Sequence, residues 1–428
     1  MPEVGAMAGS SVQIFQSAQF FSETDLSIQI KGGARLEFAR RFHNAWGWAR
    51  GYTVDDTVVW GNNMGQGWVH GFNMHLVCSE TVLGNGAPEM VAFFDQTGMS
   101  RYYSYSSEAG GVQTYLPTVK ATPEFRLTTL TRNAATGRYS IRFDVGGGYD
   151  FSAETGVPDH YARLESVLDA DGNTVALSYN GAVGVGRLVQ ILPPQGDDRY
   201  FEITYNVSGQ ISAVALRKSG VTPALKTVTY SYDDGRLEHV SYDDSSTMNY
   251  DYHMPTSTSG FFVSRKVDRR NREHLYDVDY EEGYWGYQAG AVIYTKESGL
   301  VTAYQRDVHL TNNYSTYCLV MNYDANSPPL RRIKFEMAYD GYYLSKSIYY
   351  ENPNGTGAQT WSYTYDSARR MTQVRRPNNV VYMTRTYTSE GRLATVVRPD
   401  GKTAAWTYDS AGHITQFTDF TGVAVQYT

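Results

Sequence analysis

Tyr365-Asp366-Ser367-Ala368-Arg369-Arg370-Met371-Thr372-Gln373-Val374, Tyr387-Thr388-Ser389-Glu390-Gly391-Arg392-Leu393-Ala394-Thr395-Val396 and Tyr408-Asp409-Ser410-Ala411-Gly412-His413-Ile414-Thr415-Gln416-Phe417 are three copies of one phrase. A strand ends in Tyr, a short polar turn follows, and a basic residue with Leu, Ile or Met opens the next strand. The anchor tyrosines stand 22 and 21 residues apart, and Tyr427 begins another step 19 later. Upstream the same grammar gives Tyr205-Asn206-Val207-Ser208-Gly209-Gln210-Ile211, the shortened Tyr232-Asp233-Asp234-Gly235-Arg236-Leu237, and Tyr339-Asp340-Gly341.

Second turn signals fall about midway between successive tyrosines, at Asp169-Ala170-Asp171-Gly172-Asn173, Pro377-Asn378-Asn379 and Arg398-Pro399-Asp400-Gly401. One repeat is therefore one β-hairpin plus its connection. Asp after the Tyr can hold backbone groups further along the turn, and Gly supplies the left-handed backbone that reverses the chain. Tyr at the same place in each hairpin predicts rings side by side across neighbouring strands, each pair contributing roughly 0.2–1 kcal/mol. A lone hairpin cannot bury its apolar face, so the copies must stack. The expected fold is all-β: a tyrosine-rich hairpin array over 161–428, degenerate around 249–325, where Glu281 to Tyr287 is the expected irregular turn.

Composition agrees. Tyr occurs 36 times against 17 Phe, Gly 40 times, and charged residues make up only 19% of the 428, a usage that favours strands and turns over helices. A formal charge of −7 offers no basic field for nucleic acid. No run approaches the ~20 apolar residues of a membrane helix, and Met1–Gln19 lacks the pattern of a signal peptide. Cys78 and Cys318 lack metal or scaffold spacing and read as buried thiols.

Residues 16–160 differ, with Trp46, Trp48, Trp60 and Trp68 and strands lacking the Tyr step. They predict a separate β-rich unit behind an arm at 1–15. Within it, Glu23-Thr24-Asp25-Leu26-Ser27-Ile28 leads to Arg41-Phe42-His43-Asn44-Ala45 and then to Gly65-Gln66-Gly67-Trp68. This order resembles the N-terminal segment of rearrangement-hotspot (Rhs) and YD-repeat proteins, which carry an acidic-Leu-Ser-Ile strand, an Arg-x-Tyr-Asn-Ser strand and a Gly-x-Gly-Trp turn ahead of their repeats. Phe42, His43 and Ala45 depart from the middle element. With the C-terminal copies, the resemblance spans nearly the whole chain.

The resemblance implies a ribbon of hairpins spiralling into a partly closed hollow shell, which in polymorphic toxins and insecticidal toxin complexes encloses a toxin and in teneurins serves adhesion. It implies a secreted or cell-surface location by a route the sequence does not reveal. The self-cleaving core of those toxin shells is not among these residues. Roughly twelve hairpins at ~4.8 Å per strand make a ribbon of ~115 Å, which predicts an incomplete shell or an array needing partners. An unpaired sheet edge near 408–428 is then expected to pair with another segment, another subunit or a second copy.

No residues read as a catalytic, metal or cofactor site. Asp169–Asn173 lacks the order of a calcium loop and reads as a turn. Gly146-Gly147-Gly148 has no following Lys and reads as a hairpin turn. His70 and His75, five apart, are expected on opposite faces of one strand and not as joint ligands. Arg269, Arg270 and Arg272, and Arg369, Arg370, Arg375 and Arg376, read as solvated edge charges. Asn206, Asn313 and Asn354 head chance glycosylation motifs. The reading is a non-enzymatic β-shell module presenting or enclosing another polypeptide. The alternative is a structural or adhesive surface protein, self-associating or binding glycans through its aromatic rings.

Overall fold

The computed structural model describes residues 12–13, 18–30, 35–43, 53–54, 57–58, 63–96, 100–118, 128–143, 146–153, 161–180, 186–253, 262–280, 291–297, 300–309, 315–324, 331–338, 343–352 and 356–427 except 369 and 411. Side chains are described over the same span except 12–20, His43, 53–58, Ser100, and 277–344 other than Glu336. The described chain is β throughout, apart from one short 3-10 turn at Pro377–Asn379. No helix among the described residues is long and apolar enough to cross a membrane. Asn44, Tyr339, Asp340 and the segment 281–287 lie outside the described residues.

Two layers build the first part. A small antiparallel sheet has the order β1 (Val12–Gln13), β2 (Ala18–Gln29), β3 (Arg35–His43), then β6 (Trp68–His70), with the two-stranded β4 (Thr53–Val54) and β5 (Thr57–Val58) between them in sequence. Leu36, Phe38, Arg40 and Phe42 alternate onto one face of β3 and are all buried, as the two-residue period of a strand requires. A register shift between Thr24 and Leu26 turns both Asp25 and Leu26 inward.

From β7 (His75–Cys78) the chain runs as a single meander through β8 (Met90–Phe94), β9 (Ser100–Ala109), β10 (Val112–Pro117), β11 (Thr128–Asn133), β12 (Arg138–Phe143), β13 (Gly148–Ala153) and β14 (Tyr161–Leu168). β14 returns to β7, Ala162 opposite Leu76, and closes an eight-stranded ring. Its interior is packed with Leu76, Val91, Phe93, Tyr115, Leu130 and Phe151, all at 0–1% exposure. The Cys78 thiol lies inside, 3.2 Å from the Tyr139 hydroxyl, and burial pushes the Tyr139 pKa above its ordinary value. Closure removes the free edge that β7 would otherwise present.

The same edge of β14 carries a second neighbour. Residues 161–163 pair with β7 while 166–168 pair with Thr174–Asn180. The ribbon therefore passes its own beginning and continues, strand after antiparallel strand, to Ala424–Gln426. The hydrogen-bonded sheet crosses residue 160 without interruption, so the ring belongs to the ribbon and the separate element is the small sheet.

Two expectations change. His70 and His75 occupy different strands, β6 and β7, joined by a turn in which Asn73 N–H donates to the His70 carbonyl. Of the basic clusters, Arg269 and Arg272 are held by turn aspartates, Asp244 and Asp268 respectively, so their charges serve the turns as well as the solvated edge. Gly146 to Gly148 turn β12 into β13 with positive φ at all three, as the hairpin reading requires.

Candidate functional site

The repeat signature resolves into three contacts. The residue after the Tyr closes the turn: Asn206 Oδ1 accepts from Gln210 N at 2.9 Å, Asp366 Oδ1 from Arg370 N at 2.9 Å, Asp409 Oδ1 from His413 N at 2.8 Å, and Thr388 Oγ1, standing in for Asp, from Arg392 N at 3.2 Å. Gly209, Gly391 and Gly412 follow with φ of 82°, 93° and 94°. In the shortened copy Asp233 faces Arg236 across a two-residue loop, and Asp234 and Gly235 both adopt positive φ, the hairpin turn that matches strand twist.

The Tyr hydroxyl then donates to a backbone carbonyl of the preceding hairpin. Tyr205 reaches Leu188 O, Tyr232 Ile211 O and Tyr387 Met371 O, each at 2.7 Å, and Tyr408 reaches Leu393 O at 2.8 Å. The acceptor is the apolar residue of the previous signature, so Leu393 and Leu237 have a second use beyond packing. The basic residue beside it lies over the next ring: Arg187 over Tyr205 at 5.3 Å, Arg370 over Tyr387 at 4.7 Å and Arg392 over Tyr408 at 5.6 Å. The expected ring-beside-ring ladder is thus an arginine-on-tyrosine ladder, because consecutive tyrosines are two strands apart and the intervening strand opens with the basic residue.

A register shift immediately precedes the Tyr in each of these hairpins, at Thr204/Tyr205, Ser231/Tyr232, Thr364/Tyr365, Thr386/Tyr387 and Thr407/Tyr408. Such bulges bend the strand and increase its twist. Tyr179 and Tyr252 carry the same shift and the same bond, to Leu164 O at 2.6 Å and Leu237 O at 2.5 Å. Sequence reading missed both, since no Asp-x-x-Gly turn follows them. Their 15-residue spacing from the acceptor leucine was the available signal.

The Tyr marks one face of the ribbon, and two residues before it the same face shows again. Between Thr174 and Tyr276 that face is covered by the small sheet. Leu177, Ile203, Tyr230 and Tyr250 are at 8%, 3%, 6% and 1% exposure. At the centre of the contact, Arg40 Nε donates to both oxygens of Asp25 at 2.9 and 3.1 Å, with neither side chain exposed. Tyr230 and Tyr242 hydroxyls donate to Asp25 at 2.8 and 2.7 Å, and Arg40 donates to Tyr250 Oη at 2.7 Å and approaches Met248 Sδ at 3.2 Å. Burial opposes the Arg40 charge, yet Asp25, Tyr250, Tyr242 and Glu23 hold its pKa well above the ordinary guanidinium value. Burial likewise raises the Tyr230 and Tyr250 pKa values, so both stay neutral donors.

Trp68 completes the contact, its Nε1–H donating to Tyr252 Oη at 2.8 Å and its ring 5.1 Å below the Arg40 guanidinium. Gly65 and Gly67 let this turn lie on a repeat turn: Gln66 N–H donates to Gly235 O at 3.0 Å. A Cβ on Gly65, whose φ is +87°, would stand 2.8 Å from Leu237 N. Asp25, Leu26, Gly65, Gly67 and Trp68 thus converge with Gly235 and Leu237. Arg41 faces the other way, half-buried, its Nη1 3.4 Å from Gln96 O. Arg40, overlooked for its neighbour, is the residue that alternation with Phe38 and Phe42 marks as buried.

From Ala358 onward nothing described covers the same face. Trp361, Tyr363, Tyr382, Trp406 and Phe417 lie on it half-buried, with Trp361 against Tyr382 at 5.3 Å and Trp406 against Phe417 at 5.1 Å. The opposite face bears Thr364, Thr372, Thr407 and Thr415, paired hydroxyl to hydroxyl at 3.4 and 3.0 Å. At the last strand Val423, Val425 and Tyr427 are exposed. Among the described residues no cluster of three or more His, Cys, Asp or Glu is placed to hold a metal.

Residues 387–424 match the family described as RHS Repeat. This stretch of the chain is an RHS repeat. It contains the Tyr387 and Tyr408 signatures. No curated protein matches the chain. Among solved structures, the crystal structures of TcdB2-TccC3-TEV and TcdB2-TccC3 align with 98% and 94% of this chain and 23% of theirs, at 13% and 12% identity and TM-scores of 0.36 and 0.35. The Photorhabdus luminescens Tc holotoxin pore aligns with 94% of this chain and 21% of its own, at 12% identity and a TM-score of 0.33. The chain thus spans about a quarter of the length of these structures. Superpositions of that quality are loose, and the all-β hairpin ribbon rests on the strand pairing described above.

Proposed function

We propose that the chain is a non-enzymatic RHS-repeat shell module that encloses or presents another polypeptide, a toxin or effector, within a secreted or injected assembly. The observation that carries this reading is the uneven cover of one face. The ribbon's tyrosine face is sealed by the chain's own sheet from Thr174 to Tyr276, and the equivalent face from Ala358 to Gln426 keeps two tryptophans and several tyrosines half-open. A contiguous apolar face rimmed by polar turns is a surface for another polypeptide.

The test is the mass of the native assembly under mild conditions, compared with the mass after denaturation. A co-purifying polypeptide or a longer chain supports enclosure. A single species of 48.0 kDa, or multiples of it alone, overturns enclosure and favours an adhesive or self-associating protein, for which glycan binding to the half-open aromatic rings is the next measurement.

A further inference from the structure

The half-open tyrosine face carries a cation at a strand position where the covered repeats carry none. Arg385 stands two residues before Tyr387, the place held by Ile203, Tyr230 and Tyr250 in the covered repeats. Strand register fixes its surroundings. Arg385 is directly opposite Val396, which is opposite Ala404, and Met383 beside it is opposite Val374. Val374, Val396 and Ala404 are at 1%, 7% and 1% exposure, while Arg385 is half-buried. Among the described residues the hydrogen-bonding partner of its guanidinium is Met383 Sδ, 3.4 Å from Nε. No carboxylate of the described ribbon meets it.

In the covered repeats the cover supplies the carboxylates. Asp25 arrives paired with Arg40 and accepts from the Tyr230 and Tyr242 hydroxyls, and Glu23 meets Lys266, the ribbon cation directly opposite Tyr250. A cover laid over Arg385 removes water from a guanidinium that the ribbon itself does not neutralise. Burying an uncompensated charge is strongly unfavourable, so a purely apolar or a basic cover is disfavoured. A carboxylate matches the planar fork of Arg better than any other side chain of a polypeptide.

We infer, resting on the enclosure reading, that the half-open face recognises an amphipathic β-forming polypeptide whose apolar side chains lie on Trp361, Tyr363 and Trp406 and whose Asp or Glu meets Arg385. The molecule contains its own precedent for such a cover in the sheet of β2, β3 and β6.

The experiment uses the full chain and two short disulfide-closed β-hairpin peptides with the same Val/Ile face, one with a central Glu and one with Lys in its place, titrated by calorimetry. The expected result is at least a tenfold tighter association of the Glu peptide, a preference removed in Arg385→Gln and reversed in Arg385→Glu, with melting temperatures of both variants unchanged. Equal association of the two peptides, or a Glu preference that survives Arg385→Glu, overturns the inference and leaves enclosure standing. Failure of either peptide to bind also overturns it, and enclosure then falls only if the native mass shows no second polypeptide.

Discussion

The hairpins of Tyr205 and Tyr232 and those of Tyr387 and Tyr408 share a bulge and a hydroxyl-to-carbonyl bond, and differ in what lies against their tyrosine face. Ile203 and Tyr230 are sealed under the small sheet, whereas Arg385 and Trp406 at the equivalent places are half-open. The signature therefore specifies the ribbon and not its cover. The turn closes within one hairpin and the bond to the previous carbonyl forms between adjacent hairpins, so neither depends on the cover. Burial of the face needs a second layer, supplied in one region by Ala18 to His70 and in the other by nothing described.

Four substitutions or conditions break or sharpen this contrast. Arg40→Ala strands a buried Asp25 and costs about 3–5 kcal/mol; in urea unfolding followed by hydrogen exchange, protection falls across residues 199–276 and is kept across 371–418. Replacing both partners, with Asp25→Leu and Arg40→Met together, recovers most of the loss, because neither charge is then left alone. Gly65→Ala, at φ +87° and with its Cβ pressed on Leu237 N, costs about 2–3 kcal/mol in the same assay, while Gly401→Ala, with open space around its Cβ, costs only the positive-φ strain of about 1 kcal/mol.

The third is pH. His70 is 2% exposed, stacked on Phe38 at 5.4 Å, and accepts at Nδ1 from Phe72 N–H at 3.3 Å. Burial first, and the neighbouring Arg41 charge second, pull its pKa down to about 3 from 6.5. A folded-state pKa below the unfolded value means that stability is whole above pH 6.5 and is lost as pH falls from there toward 3. Between pH 6.5 and 5 the loss due to His70 is about 2 kcal/mol and is removed in His70→Gln; His75, which burial pulls down to about 4, adds a loss of the same sign that survives in that variant. A melting temperature flat over that interval in the parent chain contradicts this account. The smallest effect is Tyr→Phe at the signature: Tyr232→Phe and Tyr408→Phe each lose one hydrogen bond, about 0.5–1.5 kcal/mol, and the near-equality of the two values checks that the bond belongs to the repeat rather than to the cover.

What was legible in the sequence follows the same division. Tyr365, Asp366, Gly391, Arg392, Leu393, Tyr408 and Gly412 could be read because their interactions span one turn or one neighbouring hairpin. Tyr179 and Tyr252 were hidden because no Asp-x-x-Gly phrase follows them, although their contacts are the same. The role of Asp25 and Trp68 was legible only as a resemblance in the order of segments, since their partners Tyr230, Tyr242 and Tyr252 lie some two hundred residues away. Arg40 was within reach of strand alternation, but a charged residue is a poor candidate for burial until its partner is known. The ring closure of β14 on β7 left no local mark at all, because antiparallel pairing of Tyr161–Arg163 with His75–Val77 uses backbone groups that every residue carries.

The most direct test of the central claim is oxidative footprinting of Trp68, Trp361 and Trp406 in the isolated chain and in the native assembly. The account predicts that Trp68 is protected in both, and that Trp361 and Trp406 react in the isolated chain and become protected in the assembly. Equal reactivity of Trp361 and Trp406 in the two preparations, with a second polypeptide present, contradicts it.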